Sequence, residues 1–224
     1  MARIHGVAGE WARVKGTVAG LWPLFLGVFA CGFSVALFFA FPLVAATLLV
    51  ASVVWILWSL VRGLHHVERF FKGARGEEKV AAVLRSLPDA YHVFNDFAAG
   101  RAHVDHVVVG PSGVFSVETK SWRGVVTVED SRVLLDGQLP DRDPLAQTLR
   151  EAALVRTVLA ARGWTGAVTP VLVFASNAFS ARCAEVRGVT IINLGELKAG
   201  FASGRVVISP SELDRLVSLM ETVP

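Results

Sequence analysis

His103-Val104-Asp105-His106-Val107-Val108-Val109, the turn Gly110-Pro111-Ser112-Gly113, and Val114-Phe115-Ser116-Val117-Glu118-Thr119-Lys120 form the stretch that decides the fold. The two apolar runs read as buried strands joined in a hairpin. They nevertheless carry Asp105, Glu118 and Lys120, and an unpaired buried charge is very costly. Side chains two apart on a strand share a face, so Glu118 and Lys120 point one way and Val117 and Thr119 the other. If the hairpin register turns Asp105 to that same face, three charged groups converge. A divalent ion held between the two carboxylates, with the lysine beside it, would balance them. A structural ion pair is the competing explanation. Glu-x-Lys also occurs at Glu77–Lys79 and Glu196–Lys198, but only the middle triplet follows a strand carrying an Asp.

Outward from the hairpin, Val80, Val83, Leu84 and Leu87 predict a helix near 76–87, ended by Pro88-Asp89, and a strand follows near 91–95. Short strands are expected near 125–129 and 132–135, and buried strands at 168–175 and 189–193. Asp143-Pro144 starts a helix that runs to about Arg162, with Gly163 as its stop. Ser209, Pro210 and Glu212 start the last one. The order of elements predicts an α/β fold, a mixed central sheet flanked by helices.

Before this domain lies a different solvent regime. From Leu21 to Val61 no Asp, Glu, Lys, Arg or His occurs, and a membrane span needs about 20 apolar residues. Pro42 divides the run, predicting two transmembrane helices near 21–40 and 43–61. Residues 1–20 read as a leader, 62–76 as a basic linker and 77–224 as the catalytic or binding domain. Arg3, Arg13 and Lys15 precede the spans, and Arg62, Arg69, Lys72 and Arg75 follow them. Both flanks are basic, so both termini and the domain are expected in the cytoplasm of a multi-pass membrane protein. Trp22, Trp55 and Trp58 read as interfacial anchors. His65 and His66 read as interface residues.

The sequence pI of ≈ 9.2 is not a nucleic-acid signature. Residues 1–76 hold seven Lys/Arg and two Glu, whereas 77–224 hold fifteen Lys/Arg and seventeen Asp/Glu. The basic excess therefore belongs to the membrane flanks, with anionic lipid as its simplest partner. Cys31 and Cys183 form no zinc spacing and are not expected to pair. No P-loop, dinucleotide fingerprint or nucleophile elbow occurs.

An ordered series of motifs resembles the NERD (nuclease-related domain) family of the PD-(D/E)xK nuclease superfamily. Gly73-Ala74-Arg75-Gly76-Glu77 resembles the GxxGE opening of its first helix. Val104 to Gly110 resembles its metal-binding strand, and Val117 to Gly124 its ExK segment. Asp143-Pro144-Leu145-Ala146-Gln147 resembles its Pro-x-x-Gln helix start, with Asp143 where the family often has Asn. The resemblance implies a restriction-endonuclease-like fold and a hydrolase that uses Mg²⁺ or Mn²⁺. It makes Asp105 and Glu118 the principal metal ligands and Glu77 a further one. It makes Lys120 the catalytic lysine and places Gln147 in the site. Arg150, on the same helix face as Gln147, is a candidate phosphate contact.

Blander readings stand beside these. Glu77 and Glu78 also suit a helix N-terminus. His103 reads as a satisfied or exposed strand histidine, and His106, pointing away from Asp105, as structural. Trp122 reads as packing rather than as a stacking platform for a base. The expected function is a membrane-anchored, metal-dependent nuclease acting on DNA. The alternative is a non-catalytic nucleic-acid-binding or scaffolding module on the same fold.

Overall fold

In the computed structural model, residues 1–9 and 75–224 make one unit and residues 10–74 another. The structure describes residues 1–100, 102–176, 179, 183–202 and 204–222, without the side chains of 64–67 and 69. The readings of His65, His66 and Arg69 lie outside the described residues.

The larger unit is built on a seven-stranded mixed sheet in the order β1-β2-β3-β4-β7-β9-β8. Its strands are β1 (Arg3–His5), β2 (His92–Ala99), β3 (Ala102–Gly110), β4 (Gly113–Lys120), β7 (Val168–Phe174), β8 (Cys183–Val186) and β9 (Val189–Asn193). The β2-β3-β4 meander is antiparallel, and β4, β7 and β9 run parallel. Val104 and Val107–Val109 are fully buried, as a strand covered on both faces requires. A separate ribbon pairs β5 (Val126–Glu129) with β6 (Arg132–Leu135).

Helices cover both faces. On one face α3 (Pro144–Ala160) and α5 (Pro210–Glu221) bury Val155, Leu159, Leu213 and Leu216 against Val107, Val109 and Val114. On the other, the last part of α2 (Pro42–Arg85) and the short α4 (Leu197–Ala202) bury Val80, Leu84 and Leu197 against Val108, Val117, Val171 and Val173. Asp143 caps α3 by accepting from the N–H groups of Leu145 and Ala146 at 2.9 and 3.3 Å. Gly76 is needed sterically, because a Cβ there would fall 1.7 Å from Ser121 Oγ. The helix can therefore come close to the end of β4 and present Glu77.

Sequence patterning does not reveal β1, β8 or α4, which are too short to show a period. Residues 62–76, expected as a linker, are helical, within α2. Arg3–His5, within the expected leader, pairs in parallel with His92–Phe94. Ala2 N–H bonds to the Arg85 carbonyl and Arg3 N–H to that of Tyr91. Asn95 Nδ2 donates to the Gly6 carbonyl, and its Oδ1 lies 2.8 Å from His106 Nδ1. Burial pushes the pKa of His106 down to about 3, so its ring is neutral and structural.

The smaller unit is a helical hairpin of α1 (Glu10–Leu37) and the first part of α2. Both helices are long and apolar enough to cross a membrane. Gly16, Gly20, Gly27 and Ser34 are buried along α1. A Cβ at Gly27 would meet the Ile56 side chain at 2.6 Å, and one at Gly63 would meet the Gly20 carbonyl oxygen at 2.9 Å. Small residues thus allow close backbone approach, as in membrane helix pairs. Phe25, Phe29, Phe39 and Leu43 face outward, Phe39 at 96% exposure. Pro42 opens α2, the first helical position where its missing N–H costs nothing. Trp58 stacks under the Arg62 guanidinium at 4.3 Å.

Candidate active site

Strand register decides which charges meet. His106 pairs with Val117, which sets Asp105 across from Glu118, and directly opposed residues share a face. The Thr119 N–H donates to Asp105 Oδ2 at 2.8 Å. Lys120 Nζ makes an ion pair with Glu118 Oε1, and Glu118 is only 3% exposed.

One turn into α3, Gln147 closes the arrangement. Its Oε1 accepts from Lys120 Nζ at 2.9 Å. Its Nε2 donates to Glu118 Oε1 at 2.8 Å and to Glu151 Oε1 at 2.9 Å. The amide therefore fixes the lysine and both carboxylates relative to one another. Arg150 is exposed, and no hydrogen bond or ion pair joins it to this cluster.

Two residues are missing from the sequence reading. Glu151 is 8% exposed and lies one helical turn beyond Gln147. That i,i+4 spacing was the available signal. Asp96 lies in β2 between Asn95, which pairs with His106, and Phe97, which pairs with Val104. It is thus opposite Asp105, and it adopts φ 51°, a strained conformation for a non-glycine residue within a strand. His103 Nδ1 lies 3.1 Å from Asp96 Oδ1. The expected strand near 91–95 stops just short of Asp96.

The electrostatics are those of crowded carboxylates. The pKa of Glu77 rises to about 7, through burial first and then the charges of Asp96 and Glu118; the Gly9 N–H works in the other direction by donating to it. The pKa of Glu151 rises to about 9, through burial first and then the charge of Glu118 and a hydrogen bond with it. Glu151 Oε2 is buried with no donor in reach among the described residues. A proton on it, the state such a pKa maintains at neutral pH, makes it a donor itself. Asp105 remains partly accessible, yet desolvation is the first cause holding its carboxyl well above the usual range, followed by Glu118, Glu77 and Glu151.

The donor set suits a hard divalent cation, which takes oxygen ligands. Five carboxylates, Glu77, Asp96, Asp105, Glu118 and Glu151, crowd one lysine, so added positive charge relieves the cluster. In the arrangement seen, Glu118 is engaged by Lys120 and Asp105 by Thr119. Among the described residues, no group of three acids, histidines or cysteines is already positioned to hold an ion. The residues fit a cation by chemistry, and an ion would have to compete with Lys120 for Glu118.

Residues 72–175 match the family model of the nuclease-related domain. Over that segment the chain is similar to the NERD family. No curated protein and no solved structure is significantly similar to the chain. The matched NERD segment contains Glu77, Asp96, Asp105, Glu118, Lys120, Gln147 and Glu151. Strands β1, β8 and β9 fall outside it, yet they complete its sheet.

Proposed function

We propose that this protein is a membrane-anchored, metal-dependent nuclease that hydrolyses phosphodiester bonds of DNA on the cytoplasmic side. The observation that supports this best is the meeting of Asp105, Glu118, Lys120 and Gln147 on one face of the sheet. Asp105 and Glu118, with Glu77, would hold Mg²⁺ or Mn²⁺. When bound, the metal polarises the phosphate and lowers the pKa of a water. The protein's own contribution is placement. Lys120, released from Glu118, positions water and offsets charge on the phosphate oxygens. Gln147 holds the lysine in place, and Glu151 keeps its proton and orients Gln147.

The test uses the full chain in detergent with labelled single- and double-stranded DNA and RNA, in Mg²⁺, Mn²⁺ or EDTA. Metal-dependent DNA cleavage is expected. Absence of both cleavage and divalent-ion binding would favour the second reading, a scaffold, for which the present engagement of Glu118 by Lys120 speaks.

Membrane anchoring is supported by the outward apolar surface of the hairpin. Same-side topology is supported by β1. Residues 1–9 and 75–224 belong to one folded unit, so the chain leaves and rejoins the same domain around the hairpin. Basic flanks favour the cytoplasm. Cys183 is exposed; in intact cells it should resist a membrane-impermeant maleimide until the membrane is opened. Labelling without permeabilisation would put the domain outside.

A further inference from the structure

Beside Lys120 and Gln147 lies an open cavity of ≈ 580 Å³ whose wall includes Trp122, Leu139, Asp141 and Arg142. Its volume is within the range of small-molecule sites, roughly 300–1,000 Å³. The ion-paired cluster does not account for it.

Each wall residue has chemistry suited to a nucleotide. Trp122 is held from behind: its ring lies 5.6 Å from that of Phe174, and its carbonyl accepts from Ser176 Oγ at 2.6 Å. The indole remains half-buried, a fixed aromatic surface at the cavity. Leu139 is 61% exposed, an apolar side chain on the cavity wall that the protein core leaves uncovered. Arg142 is exposed and, among the described residues, makes no hydrogen bond or ion pair, so its guanidinium is available to a phosphate. Asp141 offers an acceptor to the amino edge of a base. Lys120 and Gln147 connect this wall directly to the carboxylate cluster.

Within a duplex the faces of a base are covered by its neighbours, so an indole stacks fully only on a base that has left the stack. We infer that this cavity takes one unpaired nucleotide next to the scissile phosphate, with its base against Trp122 and its phosphate on Arg142, and that the substrate is single-stranded. The placement of the scissile phosphate rests on the proposed nuclease reading. Occupation of the cavity does not.

The probe is an oligonucleotide carrying 2-aminopurine, with DNA, RNA and duplex arms, bound to the full chain in detergent. Ca²⁺ replaces Mg²⁺ or Mn²⁺, so that binding is read apart from cleavage. Stacking should quench the fluorescence of the single strand, and Trp122→Leu, which keeps apolar bulk against Phe174, should restore it. Single-strand affinity should fall about tenfold in Trp122→Leu and also fall in Arg142→Ala, a surface change that leaves folding intact. Trp122→Phe should retain most of the binding, and duplex affinity should not change. A tenfold loss in either the DNA or the RNA arm supports the inference. Equal binding of duplex and single strand, unaltered by Trp122→Leu and Arg142→Ala, overturns it. Trp122-dependent binding without cleavage in any metal would instead count against the nuclease reading and leave the pocket standing.

Discussion

Lys120→Ala should lower metal-dependent cleavage by about a thousandfold, the scale of losing one preorganised electrostatic group. The lysine is bonded directly to the carboxylate cluster, through Glu118 and Gln147. Without it, Glu118 loses its cation and keeps the Gln147 amide and its hydrogen bond with Glu151. A buried carboxylate so stranded costs roughly 3–5 kcal/mol while charged, and it will take up a proton instead. A divalent ion relieves that same cost. Lys120→Ala should therefore bind Mn²⁺ at least as tightly as the parent while failing to cleave. Calorimetric titration with Mn²⁺, paired with kcat on one labelled substrate, reads both quantities. Cleavage within about tenfold of the parent would remove Lys120 from the chemistry.

Asp105→Asn should also abolish cleavage, while making the metal-free fold more stable at alkaline pH. Asp105 is crowded by Glu118, Glu77 and Glu151, and the amide removes one charge while its oxygen can still accept from Thr119. The pH dependence follows from the neighbours. Glu77 and Glu151 have folded pKa values of about 7 and about 9 against an ordinary 4.5. Groups raised in this way stabilise the fold fully below the unfolded value, and that contribution is lost as pH rises through the folded one. In EDTA the parent should thus lose stability from about pH 5 to about pH 9, with added Mg²⁺ or Mn²⁺ restoring it. Asp105→Asn should decline less steeply. At about pH 8 its metal-free Tm should exceed the parent's by roughly 2–4 °C, the shift that about 1 kcal/mol gives in a chain of this size. Its Tm should no longer respond to the metal. Parallel metal-free profiles for the two proteins would show that Asp105 does not share the charge of this cluster.

Much of this fold was legible because it rests on local chemistry. Asp143-Pro144 and Ser209-Pro210 each place a side-chain acceptor before a residue lacking an N–H, so their helices begin where the sequence says. The apolar runs around Val107 and Val171 are buried on both faces, and unbroken runs need no partner to be recognised as strands. The 41 residues from Leu21 to Val61 hold no Asp, Glu, Lys, Arg or His, so two helices long and apolar enough to cross a membrane are likewise legible by composition alone.

What the linear order concealed was every contact whose meaning depends on a partner distant in the chain. Three residues at Arg3–His5 have no readable period; they become a strand only because β2 offers an open edge. Asp96 looks like a polar residue past the end of a strand until the β2–β3 register sets it opposite Asp105. Glu151 looks like a solvated helix residue until α3 lies on the sheet and its carboxyl is shut in with Glu118. The sequence by itself determined which residues are apolar, where helices begin, and that Glu118 and Lys120 share a face, since periodicity and capping act over a few residues. Only the tertiary structure decided that Asp105 faces Glu118, that Gln147 bridges Glu118, Lys120 and Glu151, and that Trp122 lines a cavity. Register and packing are set by the burial of distant segments against one another, which no local spacing encodes.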